Sequence, residues 1–236
     1  MKIKGIELGA APRAAAVITG GVDSRAVKKA LKAGADLLEV RVDTFEKRSP
    51  GELTAAFERL LRATSGSTPV ILTVRSAREG GKVKIPDPER LEIFNALMPF
   101  ADMVDIELSS GRILKNVIDS AKRARRKTIV SYHNFRSTPQ TYRLREIVAR
   151  ARNSGADVVK IAARAENVQS MKRLAGLLVE SKNLIVIGMG GFAAPSRVLF
   201  PYLGSLVTYG SVGDKTAPGQ LDMKTLKDQF RLLGSG

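Results

Sequence analysis

Eight apolar runs of strand length alternate with helix-like stretches along the 236 residues, and this repeat limits the fold more than any other feature. The runs are "AAAVIT" (14–19), "LLEVRVD" (37–43), "PVILTVR" (69–75), "MVDIEL" (103–108), "KTIVSYH" (127–133), "DVVKIAA" (157–163), "NLIVIGM" (183–189) and "LVTYGSV" (206–212). Amphipathic segments such as "ELTAAFERLLRAT" and "RILKNVIDSAKRAR" separate them. Near-continuous apolar strands belong to parallel sheets covered by helices. Eight strand–helix units close into a (β/α)8 barrel of about 250 residues. The expectation is an α/β TIM barrel forming a single domain over residues 1–236, since no linker or low-complexity break interrupts the repeat. A doubly wound open sheet is the runner-up, but its glycine fingerprint is missing after the first strand. The opening "KIKGIEL" lies outside the repeat and is expected to form a short strand pair closing the barrel floor.

Alternate residues of a strand share a face. In "LLEVRVD", Glu39 and Arg41 point together while Leu38, Val40 and Val42 face the helices. The same period groups Thr73 with Arg75, Asp105 with Glu107, and Ser131 with His133, and it sets Lys160 in the middle of "DVVKIAA". A lone lysine in such a strand is ordinarily an edge residue whose stem lets the charge reach water. Five successive strands with polar residues on one face, mostly toward their C-terminal ends, describe a barrel mouth instead. That is where active sites of this architecture lie.

The residues at that mouth narrow the chemistry. There is no cysteine and a single histidine, so sulfur-based zinc sites, disulfides and paired-histidine metal motifs are excluded. No metal is expected. A lysine freed of its proton forms imines with ketones or aldehydes. For Lys160, burial and the charges of Arg41 and Arg75 are expected to disfavour the ammonium, against the opposing pull of Glu39, Asp105 and Glu107. His133 can shuttle a proton near neutral pH. Arg41 and Arg75 offer forked donors for a carboxylate. Asp105 and Glu107 read as counter-ions in a structural network. The set suggests proton abstraction beside a carbonyl held as an imine, on a small anionic substrate.

With these residues placed, the chain resembles the type I 3-dehydroquinate dehydratases. "EVRVD" (39–43), "RSAREGG" (75–81), "SYHNF" (131–135), "VVKIA" (158–162), "GMGGFAAPSRV" (188–198) and "APGQ" (217–220) match that family's motifs in order. The resemblance implies a cofactor-free syn dehydration of 3-dehydroquinate to 3-dehydroshikimate, in the shikimate pathway. It assigns imine formation to Lys160, acid–base work at C2 and C1 to His133, and orientation of that histidine to Glu79. It maps Glu39, Arg41, Arg75 and Arg197 onto groups that hold the substrate's carboxylate and hydroxyls, Gln220 onto a lid glutamine, and Thr216 onto a position often held by serine. Family members commonly form homodimers, and a homodimer is expected here. Val17 and Thr19 stand where relatives present a serine, and Asn134 where many carry aspartate. The glycines of "GMGG" read as room for backbone beside the substrate.

Two other readings compete. A class I aldolase-like lyase acting on a sugar phosphate also uses an imine-forming barrel lysine, but the histidine context and "APGQ" argue against it. A nucleic-acid-binding barrel would suit the formal charge of +16. Yet the basic residues are spread along helical segments and only 5% of residues are aromatic, so no stacking platform interleaves with them. No nucleic acid partner is expected; a solvated basic surface that steers a small anion is. The N-terminal segment does not read as a signal peptide, and no apolar run reaches the roughly 18 residues of a membrane span, so a cytoplasmic, membrane-free protein is expected.

Overall fold

The computed structural model describes residues 1–213 and 219–234. A two-stranded antiparallel sheet, β1 (Lys2–Ile3) and β2 (Ile6–Glu7), precedes an eight-stranded parallel sheet. The parallel strands are β3 (Ala14–Ile18), β4 (Leu37–Arg41), β5 (Val70–Thr73), β6 (Met103–Glu107), β7 (Lys127–Asn134), β8 (Val158–Arg164), β9 (Leu184–Met189) and β10 (Thr208–Gly210). Sheet order is β10-β3-β4-β5-β6-β7-β8-β9. The remaining seam is bridged where Leu206 donates its N–H to Leu184 O at 2.8 Å and Val186 donates to the Ser205 hydroxyl at 3.0 Å. The sheet is therefore a nearly closed TIM barrel.

Among the described residues, eight helices surround it: α1 (Ser24–Lys32), α2 (Pro50–Thr64), α3 (Asp87–Leu97), α4 (Leu114–Arg123), α5 (Thr141–Asn153), α6 (Val168–Glu180), α7 (Ala193–Leu199) and α8 (Met223–Leu232). Local chemistry starts several of them. Ser49 and Glu52 form a reciprocal capping box on α2, with Pro50 in the first turn, while Asp23, Asn167 and Asp222 cap α1, α6 and α8. Proline also ends two helices early. The stretches through "ALMPF" and "VLFPY" tighten into 3₁₀ turns at Met98–Phe100 and Phe200–Leu203, because Pro99 and Pro201 have no N–H to continue the ladder.

The two faces of each strand serve different cores. Outward residues such as Leu38, Val40, Leu72, Val104 and Ile161 pack under Val27, Phe57, Leu60, Phe94 and Leu174 of the helices. Inside, Leu37, Ile71, Met103, Ile129, Val158 and Ile185 fill the N-terminal end, and Ile3 and Leu8 join the same cluster. The N-terminal strand pair thus packs onto the barrel floor, where the sequence placed it. With the bottom filled by apolar side chains, the polar residues of the upper strand ends face a cavity at the C-terminal mouth.

Candidate active site

Parallel register sets the polar residues at matching heights. Glu39 lies beside Ile71, Arg41 beside Thr73, Thr73 beside Asp105, and Ser131 is paired with both Glu107 and Lys160. The mouth cavity is lined by Glu39, Arg41, Arg75, Glu79, His133, Lys160, Arg197 and Gln220. Every site residue expected from the sequence is therefore in one place except Thr216, which lies outside the described residues.

Lys160 is buried, with its ammonium 2.9 Å from Asp105 Oδ2, 3.7 Å from Glu39 Oε1 and 4.3 Å from the centre of the Tyr209 ring. Burial alone would lower its pKa, but the carboxylates of Asp105 and Glu39 outweigh it and raise the pKa above the usual lysine value. This corrects the expectation of a resting neutral amine. Arg75 does oppose the ammonium, as expected, but more weakly than the carboxylates favour it, because it shares Asp105 with Lys160. Arg41 makes a bidentate pair with Asp43 at 2.8 Å for both bonds. Arg75 donates to Glu107 Oε1 and Ser131 Oγ at 2.8 Å and sits 2.9 Å from Asp105 Oδ2. Ser131 in turn donates to Asp105 Oδ1 at 2.7 Å. Asp105 and Glu107 are counter-ions, as read. Burial pushes both carboxyls up, but Arg75 with Lys160, and Arg75 with Arg90, hold them below the ordinary range.

His133 is oriented by Glu79, whose Oε2 lies 2.9 Å from Nδ1 and accepts the His133 backbone N–H at 2.9 Å. Burial, with Arg75 and Lys160 nearby, holds the imidazole well below its usual pKa, so it is neutral at pH 7. An Nδ1–H donated to Glu79 leaves the Nε2 lone pair as a base. Glu79 rides on a 3₁₀ turn, Ala77–Glu79, ended by Gly80 in the left-handed conformation at φ +88°. Gly81 follows because a Cβ there would stand 2.3 Å from the Arg75 carbonyl oxygen.

Arg197 differs from the other cavity cations. It is 2% exposed, donates only to the backbone oxygens of Gly188 and Ala193 at 3.2 and 3.1 Å, and pairs with no carboxylate among the described residues. Burial lowers its pKa to about 10, so it remains a cation at neutral pH. Of the "GMGG" segment only Met189 lines the cavity. Two of its glycines are required by packing: a Cβ on Gly188 would press on Ser196 at 3.0 Å, and one on Gly190 would meet Glu166 at 2.4 Å.

Sequence reasoning missed Tyr209 and Phe135, which form cavity walls, and Arg90, which is buried on α3 and ion-paired to Glu107. Alternation along "VTYGS" puts Tyr209 on the inner face and could have found it. Arg90 also pairs with Asp87 one turn earlier on α3, but its link to the site, Glu107, comes from β6 and has no local signal. Val17 does line the cavity, whereas Thr19 is exposed outside it.

A profile of the family described as type I 3-dehydroquinase matches residues 21–236. The chain is 34% identical over 230 residues to the 3-dehydroquinate dehydratase of Thermodesulfovibrio yellowstonii, covering 94% of this chain and 96% of that one. It is 40% identical over 196 residues to that of Methanothermobacter thermautotrophicus, covering 83% and 84%. Among solved structures, the 3-dehydroquinate dehydratase of Geobacillus kaustophilus superposes with a TM-score of 0.92 at 27% identity, over 99% of this chain and 95% of that one. The Aquifex aeolicus enzyme gives 0.83 at 32% identity, over 94% and 99%. On this match over nearly its whole length, the chain belongs to the type I 3-dehydroquinase family and is a 3-dehydroquinate dehydratase, a hydro-lyase.

Proposed function

We propose that dehydration proceeds through an imine on Lys160 and serves the shikimate pathway. The observation supporting this reading is a buried lysine and a neutral, carboxylate-oriented imidazole in one cavity, beside a buried guanidinium with no carboxylate partner among the described residues. Arg197 receives the substrate carboxylate, and Glu39, Arg41 and Gln220 meet its hydroxyls. Lys160 first loses a proton, an uphill step from its ion pair with Asp105. Nζ then adds to the C3 carbonyl, and the carbinolamine expels that oxygen as water to leave the imine. His133 takes a C2 proton, the electron pair moving onto the imine nitrogen. The C1 hydroxyl departs as water with the proton returned by His133, so both events occur on one face of the ring. Hydrolysis of the conjugated imine consumes one water and restores the amine, for a net loss of one water.

The test follows absorbance of the conjugated product after 3-dehydroquinate is added to wild type, Lys160→Met and His133→Ala. Wild type should turn over and both variants should fall by at least about 10²-fold. A Lys160→Met enzyme with near-normal turnover would remove the imine route while leaving the dehydratase in place.

A further inference from the structure

Behind Glu79, on the side away from His133, stands Ser109, two residues past the end of β6. Its hydroxyl donates to Glu79 Oε1 at 2.5 Å, while Glu79 Oε2 accepts both from the His133 backbone N–H and at Nδ1. The carboxylate is thus held at both oxygens. We propose that Ser109 is a positioning residue for the acid–base step: by binding Oε1 it keeps the Glu79 carboxylate ionised and aimed, which fixes His133 in the Nδ1–H form with Nε2 free. This inference rests on His133 being the base of the reaction.

The charges around Glu79 make that bond consequential. Burial raises the carboxyl, the Ser109 hydroxyl lowers it, Glu107 on β6 raises it, and Arg75, two residues past β5, lowers it, leaving it at about 7. From the other sides, Lys160 on β8 and Arg75 bear on His133, and Arg41 of β4 donates to the Gly80 carbonyl at 3.3 Å. A carboxyl so balanced loses its charge readily when one donor is removed. Once protonated, it is both donor and acceptor, so it can donate to Nδ1 as well as accept from Nδ1–H; the tautomer preference goes, and Nε2 stops being a dependable base.

The solitary histidine makes the proposal directly measurable, since ¹⁵N-histidine labelling reports on His133 alone. In wild type the ring nitrogens should show the Nδ1–H form above an inflection near pH 7 and lose that preference below it. In Ser109→Ala the inflection should move up by about one pH unit, as expected for losing one hydrogen bond to a charged group. Ser109→Thr should restore it. The acid limb of kcat/KM should shift in parallel, with the alkaline plateau kept. An inflection unmoved in Ser109→Ala, or a rate loss independent of pH, would overturn the proposal. The spectra need no substrate, so their outcome stands apart from any failure of the imine mechanism.

Discussion

Arg197 brings a guanidinium into the cavity wall with two carbonyl oxygens for partners and no carboxylate among the described residues, which is the ground for proposing that it receives the substrate carboxylate. Arg197→Met is expected to raise KM by roughly 10- to 100-fold, the worth of a charged hydrogen-bonded pair, with a smaller change in kcat. Steady-state kinetics with 3-dehydroquinate check this, and an unchanged KM would move the carboxylate elsewhere. His133→Ala should still allow the imine but stall elimination, slowing turnover about 10²- to 10⁴-fold. Intact-mass analysis should then show a covalent adduct accumulating, and a mutant without one would mean that His133 is already needed for imine formation. Residue types and faces were legible here because period-2 alternation sorts a strand's side chains. Charge states were not. Whether Lys160 is paired with Asp105, or Arg75 turned toward Glu107, depends on contacts 55 and 32 residues apart in the chain.

Among the elements, the turn after β5 has the tightest requirement. Ala77–Glu79 delivers Glu79 to His133, and it closes only because Gly80 takes a positive φ and Gly81 lies against the Arg75 carbonyl. Gly81→Ala forces backbone apart, so it should destabilise the protein by about 1–3 kcal/mol and lower kcat by displacing Glu79. Chemical denaturation and kinetics on the same variant test both halves. A stable variant with reduced activity would locate the effect in the turn alone. The eight barrel strands and the eight helices among the described residues were recognisable from apolar runs and their spacing. The terminal 3₁₀ turns at Pro99 and Pro201 were less so, since an amphipathic pattern runs through both prolines.

For the molecule as a whole, the polar mouth couples stability to pH in an unusual way. As pH falls through 6.5, the unfolded chain protonates His133 while the folded one does not, which costs stability. As pH falls through about 7, the folded chain protonates Glu79 while the unfolded one waits until 4.5, which adds stability. Over the shared range these slopes offset. Asp43, Asp105 and Glu107 all have lowered folded pKa values, so their contribution is present above about pH 4.5 and lost below it. Urea midpoints should therefore stay nearly level from pH 7.5 to 5 and drop steeply under 4.5. A decline beginning at pH 6.5 would mean that Glu79 is already charged there. Reductive trapping at Lys160 tests the imine most directly. Borohydride added together with 3-dehydroquinate should inactivate the enzyme irreversibly, with the reduced adduct mapping to Lys160 in a peptide digest. Borohydride alone should do little, and Lys160→Arg should be inactive and unlabelled. Adduct on another lysine, or an active Lys160→Arg enzyme, would contradict the mechanism.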